Sequence, residues 1–252
     1  MIKLTALIIT FNEERNIDRC LKSLAGIADE IIVVDSGSTD RTEEICRSNN
    51  AAFIIHPFKG HIEQKNFAVS RSTSEYILSL DADEAISPEL RESILSIKTS
   101  WEKDGYSFNR LTNYCGQWIR HSGWYPDTKL RLFKKSKGHW GGINPHDKYQ
   151  LDDKHSSGFL NGDLLHFSYY SIREHLDQVN RFTEISARMA NDSGVHSSLI
   201  KIIIKPLARF VRDYFFHLGF LDGYYGFVIC KISAHASFIK YVKLYELQKT
   251  KK

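Results

Sequence analysis

Two aspartates one residue apart, Asp81 and Asp83, could hold a divalent cation. They follow the apolar run 76–80, which has the pattern of a buried strand, so both carboxylates are expected at a strand end. Mg²⁺ and Mn²⁺ favour oxygen ligands and commonly complete their coordination with substrate phosphates and water. The alternative is a solvated acidic turn, because an Asp-x-Asp pair alone often occurs by chance. The position after a strand favours the metal site.

Polar residues also follow the first two strand patterns of the chain, where they could line a binding crevice. These residues are Thr10, Asn12, Glu13 and Asp35. In an open α/β sheet, ligands bind beyond the carboxyl ends of the strands, so these side chains are expected on one rim with Asp81. Asp35 has two interpretations that the residues alone leave open. It accepts a hydrogen bond from a nucleobase or ribose, or it shapes the turn 36–40.

Four short apolar runs indicate the strands that carry these residues: 4–9, 30–35, 51–55 and 76–81. Since each run is apolar on both faces, helices are expected to cover both sides of the sheet. Helical spacing occurs between the runs, at 16–24 and at 40–48, and the second of these opens with Asp40 as a cap. The alternation predicts a doubly wound α/β fold with a mostly parallel sheet.

The rest of the chain changes character twice. Ser87-Pro88 has the pattern of an N-cap followed by a first-turn proline and predicts a helix to about residue 100. The aromatic- and glycine-rich stretch 105–170 is expected to add strands and long loops, and helical periodicity dominates from Ile172. We therefore predict a sheet domain over residues 1–195 and a helical C-terminal region over residues 196–252.

With 42% hydrophobic and 25% charged residues, the 252-residue chain has ordinary globular composition, which excludes a wholly disordered or fibrous protein. The four cysteines show neither zinc-site spacing nor a dense disulfide framework, which suits a reducing cytoplasm: Cys20, Cys46, Cys115 and Cys230. The N-terminus lacks the pattern of a secretory signal, and no apolar run reaches the ~18 residues of a spanning helix. We expect a protein that is neither exported nor membrane-spanning.

Positive charge is concentrated near the C-terminal end. Residues 201–252 contain ten Lys/Arg and three Asp/Glu, a net charge of +7, whereas residues 1–200 carry −3. Apolar residues at helical spacing accompany these charges over 199–220, a pattern typical of helices that bind anionic membrane surfaces. We therefore predict peripheral membrane association. The alternatives are a helix packed on the sheet domain and a dimer interface, while nucleic acid is not expected because no binding motif accompanies the basic segment.

Three segments of the chain resemble the signatures of family 2 glycosyltransferases of the Rossmann-like GT-A fold. They are Leu7–Glu14, Glu30–Asp40 and Leu80–Glu84, and the resemblance continues through Trp124–Asp127, Arg131–Phe133 and Gly219–Gly223. It extends over nearly the whole chain and is greatest to the bacterial lipopolysaccharide core-biosynthesis branch. The resemblance implies a metal-dependent inverting enzyme that moves a sugar, typically glucose, from a UDP-sugar to a lipopolysaccharide core or another lipid-linked glycan.

The resemblance also implies roles for the rim residues. The nucleoside pocket would be lined by Thr10, Asn12, Glu13 and Asp35. Asp81 would face the ribose and the metal, and Asp83 would bind the Mg²⁺ or Mn²⁺ that neutralises the departing diphosphate. His166 would approach the metal or the diphosphate, although a lone histidine is more often structural. Lys65 and Arg71 could meet phosphate charge, with an exposed basic helix face the favoured alternative for Arg71.

An inverting transfer needs a base that takes the proton of the acceptor hydroxyl as this attacks the anomeric carbon. In the family such a group follows the aromatic middle segment, often as a Glu after a His. Here Asp147 follows His146 and is one methylene shorter than Glu. We select Asp147 as the base, with a structural turn as the plain alternative. Its rivals are Asp127, Asp152 and Asp153.

Four aromatic residues could form a platform for sugar rings, whose C–H groups pack well on aromatic faces: Trp118, Trp124, Tyr125 and Trp140. Burial in the core is the alternative use of such side chains, and we expect it for two of the four.

Two other functions compete with sugar transfer. A metal-dependent nucleotidyltransferase or aspartyl phosphatase is the first, but no glycine follows the first strand to form a phosphate loop, and the acidic pair follows the fourth strand rather than the first. The second is a non-catalytic module that binds a nucleotide sugar through a degenerate site. Turnover of a sugar nucleotide that is lost in an Asp83→Ala variant separates an enzyme from such a module.

Overall fold

The structure, a computed structural model, describes residues 1–144, 146–153 and 156–249. The chain forms two compact units. Unit 1 comprises residues 1–110 and 127–167, and unit 2 comprises residues 111–126 and 168–252. The predicted boundary after residue 195 falls within unit 2, because the helix that begins at Ile172 packs against the C-terminal helix.

A parallel array of strands opens unit 1: β1 (Leu4–Thr10), β2 (Glu30–Asp35), β3 (Ala52–Ile55) and β4 (Tyr76–Asp81). The strands lie in the order β3-β2-β1-β4 and are connected by α1 (Ile17–Ser23), α2 (Thr42–Ser48) and α3 (His61–Arg71). Thr10 pairs with Asp35 and Ile9 pairs with Asp81, so the carboxyl ends of β1, β2 and β4 lie level. The predicted alternation and the predicted rim are both present.

The second half of the sheet is antiparallel, which the sequence patterns did not indicate. Its strands are β5 (Glu84–Ile86), β6 (Gly105–Tyr114), β7 (Gln117–Ile119), β8 (Thr128–Lys134) and β11 (Ser157–Tyr169). Helix α4 (Pro88–Thr99) connects β5 to β6. The order continues β4-β8-β6-β11-β5, and β8 runs antiparallel to β4 and β6. A separate antiparallel hairpin is formed by β9 (Gly138–Ile143) and β10 (His146–Leu151). The α/β class is confirmed, and the sheet is mixed rather than mostly parallel.

Strand β1 shows why its run is apolar throughout. Leu4 and Ile8 belong to a buried cluster with Ile17 of α1, whereas Leu7 belongs to a second cluster with Ala68 of α3. Alternate side chains of a strand point to opposite faces, so each face of β1 needs its own helical cover. The uninterrupted apolar run therefore specifies a central strand between two layers of helices.

Helix α4 begins where the sequence predicts. The Ser87 hydroxyl accepts a hydrogen bond from the Leu90 amide at 3.2 Å, and Pro88 occupies the first helical position. The same hydroxyl accepts from the Asp163 amide of β11, also at 3.2 Å. The cap therefore fixes the start of α4 to its neighbouring strand.

Unit 2 is predominantly helical, as the periodicity from Ile172 predicts. Its helices are α5 (Ile172–Asp192), α6 (Leu199–Val211) and α7 (Gly223–Lys249), with a π-helical turn at 212–216 and a 3₁₀ turn at 219–222. Both α5 and α6 pack against α7. Pro206 lies inside α6. Across the described residues, none of the helices combines the length and the apolar character needed to cross a bilayer.

The buried Asp222 carboxylate holds the 3₁₀ turn of unit 2 to the loop that follows β7. It accepts hydrogen bonds from the amides of Arg120 at 3.1 Å and His121 at 2.9 Å, and from the Ser122 hydroxyl at 3.0 Å. A buried carboxylate needs such partners, because its desolvation is otherwise costly. Asp222 lies in the segment Gly219–Gly223, which carries part of the family resemblance. Within unit 2 its contacts hold two backbone segments together.

Replacing Gly162 with alanine should destabilise unit 1 more than replacing Gly37. Both residues have left-handed backbone, with φ of +95° and +96°, so alanine costs about 1 kcal/mol at either position from backbone conformation alone. A Cβ atom at Gly162 would lie 2.2 Å from the Leu90 amide nitrogen in the first turn of α4, whereas Gly37 faces open space. We expect urea denaturation to show about 1–3 kcal/mol of additional loss for Gly162→Ala. Equal losses in the two variants would contradict this steric account.

Candidate active site

The loops that follow β1 and β2 are joined to each other at the rim. The Asn12 amide donates to the Ser38 hydroxyl at 2.7 Å, and the Asn12 side-chain oxygen accepts from the Thr39 amide at 2.8 Å. Asn12 has left-handed backbone (φ +53°), a conformation that asparagine tolerates better than most residues. Thr10 is buried beside this junction, and its hydroxyl has no hydrogen-bond partner among the described residues. The two loops therefore form one connected edge of the site.

Asp35 is buried, and its contacts agree with the turn interpretation. One carboxylate oxygen accepts from the amides of Gly37 and Ser38, both at 2.7 Å, and the other accepts from the Ser38 hydroxyl at 2.5 Å. These bonds use both oxygens of the side chain inside its own loop. Asp35 therefore fixes the shape of the β2 loop, on which Asn12 is held.

Asp83 and His166 lie together, as the predicted metal site requires. The His166 Nε2 atom is 3.1 Å from an Asp83 carboxylate oxygen, and both side chains are partly accessible. Glu13 lies near them. The pKa of the Glu13 carboxyl is raised to about 7, chiefly by burial, with a smaller contribution from the charges of Asp83 and Asp40 and against the opposing effect of a hydrogen bond from Asn16. Asp83, His166 and Glu13 thus form a cluster at this part of the rim.

The donor chemistry of this cluster fits a hard divalent cation that is shared with a substrate. A carboxylate and an imidazole are ligands that Mn²⁺ and Mg²⁺ accept, and such ions commonly take their remaining ligands from phosphates and water. Within the part of the chain that the structure describes, no group of three or more His, Cys, Asp or Glu side chains is arranged to hold a metal. Asp83 and His166 therefore fit an ion only when a substrate supplies further oxygens.

Asp81 differs from Asp83 although only one residue separates them. The Arg131 Nη2 atom lies 2.7 Å from one Asp81 oxygen, and the Lys65 Nζ atom lies 3.0 Å from the other without hydrogen-bond geometry. Burial alone would raise the pKa of the Asp81 carboxyl, but Arg131 and Lys65 outweigh it and hold the pKa well below its usual range. Asp81 is therefore ionised and is already paired with two cations.

Lys65 connects Asp81 to the predicted base. Its side chain is 3% exposed, and its ammonium lies 2.8 Å from an Asp147 carboxylate oxygen as well as 3.0 Å from Asp81. The ammonium also lies 4.5 Å from the centre of the Trp140 ring, a cation–π contact. A buried lysine between two carboxylates fixes the Asp147 side chain of β10 beside the end of β4. We call this group, Asp81, Lys65 and Asp147, the Lys65 bridge.

Further charged side chains extend the Lys65 bridge, and sequence reasoning missed them. Glu84 is buried within 3.4 Å of both Arg131 and Arg110, and Arg110 pairs with Asp127 at 2.8 Å. The signal for Arg131 was available, because it is a charged residue inside the apolar strand segment 130–133, where a buried charge must have a partner. Asp127, a rival base, forms ion pairs with Arg110 and with Lys129, each at 2.8 Å.

The remaining predicted residues lie as follows. Asp152 and Asp153, the other rival bases, are exposed. Arg71 is exposed at the end of α3 over the Phe67 ring, in agreement with the favoured interpretation of an exposed helix face. Trp140 is buried in the core of unit 1 and Trp124 packs against a buried cluster of unit 2, which matches the expectation that two of the four aromatic residues are core. Trp118 and Tyr125 are partly exposed.

Comparison with known proteins gives consistent matches. The model of the family described as glycosyl transferase family 2 matches residues 5–151, a segment that includes Asp83 and Asp147 and ends before His166. An uncharacterised glycosyltransferase of Rickettsia typhi is 33% identical over 258 residues, covering 98% of this chain and 88% of that protein. The lipopolysaccharide core biosynthesis glycosyltransferase LpsC of Rhizobium meliloti is 29% identical over 260 residues, covering 97% and 93%. The crystal structure of Staphylococcus aureus TarS residues 1–349 with UDP is 14% identical, covers 100% of this chain and 92% of that one, and has a TM-score of 0.48.

The raised pKa of Glu13 predicts a pH-dependent stability. A carboxyl whose pKa is about 7 in the folded state and about 4.5 in the unfolded state stabilises the fold fully below pH 4.5, and this contribution is lost as the pH rises through 7. The free energy of unfolding of the wild type should therefore fall relative to Glu13→Gln between pH 4.5 and 7, by about 3 kcal/mol at most. Urea denaturation of both proteins at several pH values measures the difference. A difference that stays constant over this range would contradict the assignment.

Proposed function

The chain belongs to glycosyl transferase family 2, and we propose that it transfers glucose, with inversion, from UDP-glucose to a lipid-linked saccharide of the lipopolysaccharide-core type. The resemblance given by its motifs is confirmed at the level of the family, and the protein is a glycosyltransferase. The donor follows from the branch that the motifs resemble. The acceptor class is supported by the match to LpsC over 97% of the chain.

One observation supports the proposed chemistry. Two carboxylates with different neighbours, Asp83 and Asp147, lie near the carboxyl end of β4. Asp83 faces His166 and stays partly accessible, whereas Asp147 is held by the buried Lys65. An inverting transfer needs these two functions apart, a group that stabilises the leaving diphosphate and a group that takes a proton from the acceptor. The Lys65 bridge keeps the second group in a fixed position.

Asp83 and His166 would hold Mg²⁺ or Mn²⁺ together with oxygens of the donor diphosphate. When bound, the ion supplies Lewis-acid stabilisation of the negative charge that develops on the departing UDP. Glu13 would respond to this charge, since its pKa of about 7 leaves it close to half protonated at neutral pH. The junction of Asn12 with the β2 loop would shape the edge of the nucleoside pocket, with Asp35 acting through that loop.

Asp147 would act as the base. One of its oxygens bonds Lys65, and the other has no partner among the described residues. As the acceptor oxygen forms its bond to the anomeric carbon, the bond from that carbon to the diphosphate oxygen breaks with its electron pair, and the acceptor proton passes to Asp147. Lys65 orients the carboxylate for this transfer, and Asp81 and Arg131 in turn position Lys65. Asp81 is thus assigned a positioning role.

Activity measurements on three variants test this assignment. Hydrolysis of UDP-glucose in the presence of Mn²⁺ serves as the probe reaction, with water in place of the acceptor. We expect Asp147→Asn and Asp83→Asn each to lower the rate about 10²–10⁴-fold, because the first removes the base and the second removes a metal ligand. Asp152→Asn is the control, since this residue is an exposed rival near Asp147 in the sequence. Asp147→Asn and Asp152→Asn proteins of equal activity would exclude Asp147 as the base.

We further propose that unit 2 binds the membrane from its cytoplasmic side, where the lipid-linked acceptor is presented. Helix α6 turns its apolar side chains outward: Ile200 is 73% exposed, Ile203 is 67% exposed and Leu207 is 60% exposed. None of the residues of α6 is buried. The segment 201–252 adds a net charge of +7, which attracts it to an anionic leaflet. An exposed apolar face beside cationic side chains is the arrangement of helices that lie in the headgroup region.

Vesicle binding tests the membrane proposal with single substitutions. Ile203→Asp should reduce cosedimentation with phosphatidylglycerol vesicles about tenfold, since it places a charge in the face that would enter the headgroup region. Ile143→Asp is the matched control, because Ile143 is similarly exposed, at 63%, on strand β9 of unit 1. The proposal is wrong if both variants cosediment like the wild type. In that case, a dimeric wild type and a monomeric Ile203→Asp variant would identify the face as a dimer interface.

A further inference from the structure

A cavity of about 590 Å³ lies within unit 2, between helices α5, α6 and α7. We call it the α5–α7 cavity. It has no part in the site described above, which is formed by residues of unit 1. Its volume is in the range of cavities that hold a small-molecule ligand.

The charge of the α5–α7 cavity is strongly biased. Four cationic side chains line it: Lys205, Arg209, Arg212 and Lys240. The first three belong to α6 and its C-terminal end, and Lys240 belongs to α7. None of the described lining residues is acidic. The buried Asp213 pairs with the Nε atoms of both Arg209 and Arg212. The two outer nitrogens of each guanidinium are therefore available to a ligand. Within the described residues, Lys205 and Lys240 have no carboxylate partner at salt-bridge distance. The cavity therefore carries an excess of positive charge.

Small hydroxyl residues complete this lining. Ser186 of α5 and Ser233 and Ser237 of α7 line the cavity. Serine leaves room for a ligand and supplies O–H donors, and guanidinium and ammonium groups donate to the oxygens of phosphate. This combination of lysine, arginine and serine is suited to a phosphate group, and the excess of positive charge disfavours a cation.

Helix α6 is inverted relative to an ordinary amphipathic surface helix. Lys205, Arg209 and Arg212 face the cavity, while Ile200, Ile203 and Leu207 face outward. Packing against a protein core would reverse this orientation, since the apolar stripe normally faces inward. The cationic side of α6 is therefore part of the cavity wall.

We infer that the α5–α7 cavity binds a phosphate ester, with a lipid headgroup and a phosphorylated saccharide as the two sources of this chemistry. The inference concerns unit 2 by itself and does not rest on the proposed transfer. Its test is therefore a binding measurement in which no donor sugar is present.

Isothermal titration calorimetry of the full chain with dihexanoyl phosphatidic acid, a short-chain lipid that dissolves as monomers, tests the site. We expect saturable binding that Lys205→Gln with Lys240→Gln weakens about tenfold or more, because both unpaired ammonium groups are removed. Lys201→Gln with Lys249→Gln is the matched control. It removes the same charge from the same two helices at positions that do not line the cavity, and should change the affinity less than about twofold. Unchanged unfolding temperatures verify that both double variants are folded.

The other probes distinguish the two sources. Glucose 6-phosphate that binds with the same dependence on Lys205 and Lys240 assigns the cavity to a phosphorylated saccharide, and binding of the phosphatidic acid alone assigns it to a lipid headgroup. The inference fails if none of the phosphate probes binds saturably, or if both double variants lose affinity equally. It also fails if dihexanoyl phosphatidylcholine, which has no net charge, binds as tightly as the phosphatidic acid.

Discussion

The buried ammonium of Lys65 is the interaction on which the rest of the candidate site depends. At 3% exposure it is nearly removed from water, and the carboxylates of Asp81 and Asp147 and the face of Trp140 compensate for its desolvation. Lys65 lies on α3 and these partners come from β4 and the β9–β10 hairpin, so the ammonium is satisfied when all three parts of the fold are in place together. Such an arrangement contributes little net stability. Its consequence is positional, because it holds Asp147 next to the strand end that carries Asp83.

The site also shows how neighbouring carboxylates acquire different functions from their surroundings. Only Ala82 separates Asp81 from Asp83, but Asp81 is the last residue of β4 whereas Asp83 lies in the turn before β5, so the two side chains meet different partners. Asp81 meets Arg131 and Lys65 and is fixed as an anion, whereas Asp83 meets His166 near the protonatable Glu13. The first is suited to position another residue, and the second is suited to share a cation with a substrate. A motif of two aspartates thus divides into a structural half and a half that is open to ligands.

The sequence predicted those parts of the fold that depend on local pattern. Strands β1, β2 and β4 follow from apolar runs with both faces covered, and the start of α4 follows from Ser87 and Pro88, because each signal lies within a few residues. The antiparallel half of the sheet, the division into units at Phe167 and the Lys65 bridge depend on contacts between distant segments, such as Lys65 with Asp147. Asp35 illustrates the same limit: its two interpretations were equal until the hydrogen bonds within its loop could be seen. Glu84 and Arg110 gave no signal because their partners, Arg131 for Glu84 and Asp127 for Arg110, are distant in the sequence.

We propose that Asp83 and His166 hold a divalent cation against the diphosphate of the donor, while the Lys65 bridge stays in place. The most direct measurement is an anomalous difference map from crystals grown with Mn²⁺ and UDP. We expect a manganese peak within coordination distance of an Asp83 carboxylate oxygen and a UDP phosphate oxygen, with Lys65 still between Asp81 and Asp147. A manganese peak at Asp81 instead, or UDP bound with no peak near Asp83, would contradict the proposed metal site.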